Sequence, residues 1–321
     1  MRKPTLSVGL PVYNGERYLA RAIDSLLNQD FEDFELIISD NGSSDRTEAI
    51  CREAAARDPR VCYFRSEQNR GATWNFRRVF ELSQGEFFKY AAYDDECYPT
   101  MLRRCMEAMV EGGPDVALVY TRSETIDEDS AVIPLAGSPR WDSIATGANR
   151  VCIRLWHVLW FVLHGQALYG VIRSSFLRRT RPYGTVAADW VIVAQLAMLG
   201  KIIEIPEVLF RLRQHAANTF NGKNTPLDVL RWHNPKASKF ERLLPFRVAI
   251  VLEYLKSIVY LPLSQTDKML CLPVACCTPP FRSIWIWLLG KTGSIRRKLR
   301  AMTGWKALCP SSPDSQKSYL R

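Results

Sequence analysis

Three carboxylates stand in a row at Asp94, Asp95 and Glu96, directly after the apolar run Phe87–Ala92. Like charges held this close repel, and a divalent cation removes that cost. Carboxylate oxygens suit Mg²⁺ or Mn²⁺, with substrate phosphates completing the shell. The plainer alternative is a solvated acidic turn that caps the helix opened by Pro99. Asp40-Asn41-Gly42-Ser43 admits two readings as well: a turn with a helix cap, or a nucleoside pocket whose carboxylate accepts a base N–H. In Asn69-Arg70-Gly71 the arginine can meet a base or phosphate, and the glycine lets the backbone come close. Asp189 precedes the apolar stretch Val191–Leu199 and is the only Asp or Glu between Asp142 and Glu204. It reads as an N-cap or as a general base held at a helix start. His215 closes Arg211-x-Arg213-x-His215. The histidine is a structural group or a ligand, and the arginines suit a diphosphate.

These residues need a scaffold, and the first 120 residues alternate strand and helix signals. Leu6–Val12, Glu35–Ser39, Val61–Arg65, Phe87–Ala92 and Val116–Thr121 read as strands. Between them lie a helix with Leu19, Ala22, Ile23, Leu26 and Leu27 on one face, a second near Asp45–Ala56 with capping-box spacing from Asp45 to Glu48, and a third over Ala72–Leu82. That alternation predicts an α/β fold, a mostly parallel sheet with helices on both faces. Such sheets bind ligands at the carboxyl ends of their strands. There stand Pro11-Val12-Tyr13-Asn14, Asp40-Asn41-Gly42-Ser43 and Tyr93-Asp94-Asp95-Glu96. Further on, Ile202–Val208 reads as a strand, 221–245 as a linker and Phe246–Leu261 as a helix. Residues 155–172 lack Asp, Glu, Lys and Arg, but His157, His164, Gly165, Gln166 and Gly170 break their apolar character. A buried helix followed by a turn and a strand is expected rather than a membrane span.

The formal charge of +10 is uneven: residues 1–150 hold 18 Lys+Arg and 25 Asp+Glu, residues 151–321 hold 25 and 8. This argues against a uniformly basic nucleic-acid binder. Residues 221–321 alone carry 17 Lys+Arg and 5 Asp+Glu, with Trp285, Trp287 and Trp305 beside Arg282, Lys291, Arg296, Arg297, Lys298 and Arg300. They form either a surface for an anionic membrane or helices packed on the first domain with a solvated basic face. The nine cysteines show no C-x-x-C pair and no zinc spacing, and the start of the chain reads as a first strand rather than a signal peptide, so reduced thiols and a cytoplasmic protein, peripheral at most to the inner membrane face, are expected.

The set of motifs resembles family 2 glycosyltransferases with the GT-A fold over roughly residues 5–220. Pro11-Val12-Tyr13-Asn14 looks like the family's P-x-Y/F-N opening, Asp40-Asn41-Gly42-Ser43-Ser44-Asp45 like its D-D-G-S-x-D turn, Asn69-Arg70-Gly71 like its N-x-G segment, and Asp94-Asp95 with Pro99 like its D-D-x-x-x-P metal motif. Two departures stand out. Asn41 replaces the usual second Asp, and Ala92 and Tyr93 stand where the first Asp of a D-x-D belongs. The resemblance implies a nucleotide-sugar donor (UDP-linked in the first instance), Mg²⁺ or Mn²⁺, inversion at the anomeric carbon, and a saccharide or lipid-linked acceptor. It implies Asp40 at the base, Asp95 with Asp94 at the metal, Asp189 as acceptor-side base and His215 near the metal. Pro11, Tyr13, Asn14, Asn69, Arg70, Arg211 and Arg213 fall on the substrate side. The expected organisation is a GT-A catalytic domain over 1–220 (nucleotide-sugar half about 1–120, acceptor half about 121–220), a basic helical extension over 221–306 and a disordered tail over 307–321. A sugar-nucleotide pyrophosphorylase would need a Gly-rich start, and Pro11–Arg17 has one glycine. A non-catalytic membrane or nucleic-acid binder is the rival from another class, although no nucleic-acid partner is expected.

Overall fold

The computed structural model describes residues 3–134, 143–161, 165–181, 188–215 and 245–291. Leu6–Val12 (β1), Phe34–Asp40 (β2), Val61–Arg65 (β3) and Phe87–Tyr90 (β4) are short apolar runs closed by turn residues. Leu19–Leu27 (α1), Thr47–Arg57 (α2) and Ala72–Glu81 (α3) link them in sequence. Each helix returns the chain to the same edge, so β1 pairs in parallel with β2 and β4, and β2 with β3. Val12 lies level with Asp40, and Asp40 with Arg65. The ends of three strands therefore open on one edge.

Glu96–Cys97 (β5), Val116–Ile126 (β6), Val171–Arg173 (β7) and Lys201–Arg213 (β8) complete an eight-stranded sheet of order β3-β2-β1-β4-β7-β6-β8-β5. β6 and β8 are parallel, whereas β7 runs antiparallel to β4 and β6, and β5 antiparallel to β8. The expected mostly parallel sheet thus holds for the first four strands and gives way to a mixed one beyond them. Strand–helix alternation predicts direction only where single helices link the strands, and a two- or three-residue strand carries no directional signal. β8 also runs five residues past the expected Val208. Its register jumps from Thr121↔Ile205 to Arg122↔Val208, so Pro206 and Glu207 bulge from the ladder, where proline is tolerated.

Met101–Glu111 (α4) joins α1 and α2 on one face of the sheet, where Leu102, Cys105 and Met109 share a core with Val8, Leu10 and Ile23. The other face takes α3, Val151–Phe161 (α5), the short Ser174–Leu177 (α6) and Ala188–Leu199 (α7). Gly9 lets α3 sit close: a Cβ there would stand 2.6 Å from the Phe88 ring and 2.8 Å from Val79. The uncharged stretch 155–172 resolves into α5, a 3₁₀ turn over Gly165–Tyr169, and β7, as expected. Among the described residues no helix is long and apolar enough to cross a membrane.

Phe246–Tyr260 (α8) and Gln265–Lys291 (α9) pack back on this second face. Ile250, Tyr254, Ile258, Cys271 and Ala275 join a core that includes Leu155 and Leu196. The expected linker over 221–245 falls almost wholly outside the described residues, as do the expected boundary at 220, the tail over 307–321, Trp305 and the side chains of Trp285 and Trp287.

Candidate active site

The strand-end loops are stitched to each other by side chains. Asn14 takes the left-handed conformation (φ 50°), which asparagine tolerates better than most residues. Its N–H donates to Ser43 Oγ (2.9 Å) and its Oδ1 accepts from the Ser44 N–H (2.9 Å). Asp40 is fully buried. Its Oδ1 accepts from the Ser43 N–H (2.8 Å), its Oδ2 from the Tyr63 hydroxyl (2.9 Å), and Arg65 Nε lies 3.3 Å from Oδ2. Asp40 thus fixes the turn after β2 from beneath. Gly42 holds φ 75° with Gln68 Cα 2.9 Å from where a Cβ would stand, so this turn packs directly on the loop after β3.

Asn41 explains its own departure from the family pattern. Its Nδ2 donates to Asn69 Oδ1 (3.0 Å) and to the Gly71 carbonyl (3.1 Å), and its Oδ1 accepts from the Arg70 N–H (3.0 Å). A carboxylate supplies no donor for the first two. Asn41→Asp is therefore expected to lower stability by about 1–3 kcal/mol, read as a shift in urea midpoint; an unchanged midpoint would show that the loop is held otherwise. Arg70 leaves this tether exposed, its guanidinium 4.8 Å from the Trp74 ring centroid. Pro11 is buried in β1, level with Ser39, and Tyr13 is exposed at the site edge.

Asn75 and Lys89 were not singled out by sequence. Asn75, buried on α3, donates from Nδ2 to the Ser39 and Val12 carbonyls and accepts the Ser39 hydroxyl, clamping β1 to β2 just below the site. Lys89 is fully buried on β4, donates to the Tyr169 and Tyr90 carbonyls and lies 5.2 Å from the Phe210 ring. A polar residue on an apolar helix face and a lone cation inside an apolar strand were the available signals.

The three consecutive carboxylates divide by role. Glu96 turns into β5 and faces Arg211 Nη1 (2.9 Å), Arg213 Nη2 and the Ser130 hydroxyl. Arg211 and Arg213, expected to face a diphosphate, lie inside β8 and are occupied by protein. Arg211 also meets Glu124 (3.2 Å) and the Ser130 carbonyl (2.8 Å), and Arg213 donates to the carbonyls of Asp94 (2.8 Å) and Asp127 (2.6 Å). The Arg213 backbone N–H donates to Asp95 Oδ1 (2.9 Å). The strand pairing Glu96↔Arg211 fixes this arrangement.

Asp94 and His215 are brought together, with Oδ2 and Nε2 3.0 Å apart. Burial, then the charge of Asp94, pushes the Asp95 carboxyl well above the ordinary carboxylate value. The Tyr18 ring lies tilted against His215 with centroids 4.8 Å apart, and its buried hydroxyl has no partner among the described residues. Among the described residues no cluster of three His, Cys, Asp or Glu holds a metal by itself. The Asp94 carboxylate and the His215 imidazole are nevertheless donor types that suit a hard or borderline cation whose remaining positions come from phosphate and water.

Asp189 sits in the first turn of α7, and burial raises its pKa. Tyr169, in the 3₁₀ turn and stacked on Phe210 at 5.5 Å, links it to the other carboxylates. Its hydroxyl is shifted well upward by burial, and then by Asp95, Asp94 and Asp189.

Residues 7–154 match the family described as glycosyl transferase family 2. Over those residues the chain is similar to that family. A relative described as an uncharacterised glycosyltransferase of Rickettsia typhi is 26% identical over 253 residues, 78% of this chain and 76% of its own. The GalNAc(5)-diNAcBac-PP-undecaprenol β-1,3-glucosyltransferase of Campylobacter jejuni is 36% identical over 110 residues, 34% of this chain and 36% of that one. The S. aureus TarS 1–349 structure in complex with UDP-GlcNAc superposes with a TM-score of 0.60 at 16% identity, covering 85% of this chain and 71% of that one. At that identity the likeness speaks to the fold alone. The chain therefore carries an α/β fold like that of GT-A glycosyltransferases, with added C-terminal helices.

Proposed function

We propose that this protein is a metal-dependent, inverting glycosyltransferase that moves a sugar from a nucleoside-diphosphate donor, UDP-linked in the first instance, to a hydroxyl of a saccharide or lipid-linked acceptor in cell-surface polysaccharide or glycolipid synthesis. One observation carries the reading: Asp94 Oδ2 and His215 Nε2, 121 positions apart in the chain, stand 3.0 Å apart, beside a buried Tyr18 hydroxyl that has no partner among the described residues. The named relatives support the substrate classes, one bound to UDP-GlcNAc and one acting on an undecaprenol diphosphate acceptor. The catalytic unit is assigned to residues 1–220 and the helical extension to 221–306.

On this reading the loops after β1, β2 and β3 hold the nucleoside, with Asp40 fixing the turn under the base and Asn69 and Arg70 on its rim. Asp94, Asp95 and His215 hold Mg²⁺ or Mn²⁺. When bound, the cation neutralises charge on the departing diphosphate. The unpartnered Tyr18 hydroxyl points to a hydrogen bond made only with ligand present. Asp189 accepts the acceptor hydroxyl proton as the oxygen forms a bond to the anomeric carbon. The bond from that carbon to the phosphate oxygen breaks on the opposite side, and the nucleoside diphosphate leaves with the electron pair.

A thermal-shift panel of UDP-, GDP- and dTDP-sugars tests this. One donor class is expected to raise Tm with Mn²⁺ and to lose the effect in EDTA. A shift unchanged by EDTA would remove the metal, and retention of anomeric configuration in the product, read by NMR, would remove the single displacement.

A further inference from the structure

The two faces of the molecule treat their arginines differently. On the α1–α2–α4 face, Arg52, Arg57, Arg103 and Arg104 are each paired with a carboxylate. On the opposite face, Arg70 and Arg78 flank the Trp74 ring, Arg178 lies over Phe80 and Arg179 over Phe176, at 4.8–5.8 Å from the ring centroids. Among the described residues none of these four has a carboxylate partner. A guanidinium group beside an aromatic ring keeps its charge and remains available to an anion.

Beside them runs a cleft of about 240 Å³ between α3, α6 and α7, lined by Arg77, Phe80, Glu81, Arg178, Arg181 and Tyr260; Arg77 pairs with Glu81 and Arg181 with Glu253, which leaves Arg178 as its one cation without a carboxylate partner among the described residues. Tyr260 is 55% exposed and Val259 68%, at the end of α8. The Lys268 ammonium donates to the Val259 carbonyl (2.8 Å), which brings the start of α9 alongside, and the next residue, Met269, is 72% exposed. The patch is therefore cationic and apolar at once.

We propose that this face, formed by α3, the α6 segment and the α8–α9 turn, docks on an anionic lipid bilayer. A bilayer interface takes both halves of the patch: arginines at the level of the headgroups, and Val259, Tyr260 and Met269 at the acyl boundary. An acidic polysaccharide would meet the arginines and leave those three side chains in water. The occupant is thus a lipid surface rather than a soluble polyanion, and the docking element is the folded domain rather than the basic C-terminal residues.

The test is co-sedimentation of the full chain with phosphatidylcholine vesicles, with and without phosphatidylglycerol. Binding is expected only with phosphatidylglycerol and is expected to weaken with salt. Arg178→Glu with Arg179→Glu is expected to lower the partition coefficient about tenfold or more. Val259→Asp with Met269→Asp is expected to lower it at low salt as well, and the charge-matched Arg52→Glu with Arg57→Glu on the opposite face to leave it unchanged. Thermal melts establish that each variant is folded. Vesicle binding that survives the Arg178/Arg179 reversal overturns the proposal, as does binding lost only on deletion of residues 292–321. Binding of a soluble acidic polysaccharide through Arg178 and Arg179 without vesicle binding would give the face to a glycan instead.

Discussion

Asp189→Asn is expected to reduce turnover by about 10²–10⁴-fold while donor affinity stays at the wild-type level. The amide keeps the volume and the place of the carboxylate in the first turn of α7, so the change is confined to proton acceptance. On the proposed reading donor affinity rests on the loops after β1, β2 and β3 and on Asp94, not on Asp189. The pH dependence gives a second reading. Burial raises the Asp189 pKa above its ordinary value, so the protonated, inactive form persists to higher pH than for an exposed Asp. In the wild type, kcat should fall as pH drops through that raised pKa, and the residual activity of the Asn variant should lack this acid limb. Transfer by Asp189→Asn at the wild-type rate, or an acid limb that survives in it, would move the base elsewhere.

What could be read in advance followed the reach of each interaction. β1 to β4 with their helices were visible because apolar periodicity is local, and the Asn14, Asp40 and Asp94 clusters were visible because polar residues at strand ends fall where such sheets open. Arg211 and Arg213 were misplaced for the opposite reason. Their partner Glu96 lies 115 and 117 positions away, and the pairing exists only once β8 runs past Pro206 beside β5. Two arginines in x-Arg-x-Arg-x look alike in a phosphate loop and in a strand, and only the bulge at Pro206–Glu207 distinguishes them. Asn41 shows a related effect: read alone it is a defect in an acidic motif, and read with Asn69 and Gly71 it is the amide that ties two loops together. Tyr169 carries no motif. Its place emerges from the turn after α5, the Phe210 ring and three carboxylates distant in sequence.

The division among the acidic run makes the second large prediction. Arg213→Met is expected to cost about 3–5 kcal/mol of stability, because it strands a buried charge. The Arg213 side chain has no exposed surface and Glu96 beside it only 12%. Losing the guanidinium leaves the Glu96 carboxylate with Arg211 and the Ser130 hydroxyl, and the carbonyls of Asp94 and Asp127 without their donor. Asp94→Asn should do the reverse. Its side chain is partly exposed, and an amide oxygen or nitrogen can still meet His215, so Tm should move little. The negative charge at the proposed cation site is halved, however, and calorimetry with UDP and Mn²⁺ should show metal-dependent binding lost. The two variants therefore separate support from ligation within three consecutive residues and their arginine brace. A wild-type Tm for Arg213→Met would mean that β5 is held without it. Undiminished Mn²⁺-dependent UDP binding by Asp94→Asn would leave Asp95 and His215 as the ligating pair, and would make the 3.0 Å contact between Asp94 and His215 a matter of positioning the imidazole rather than of sharing a cation with it.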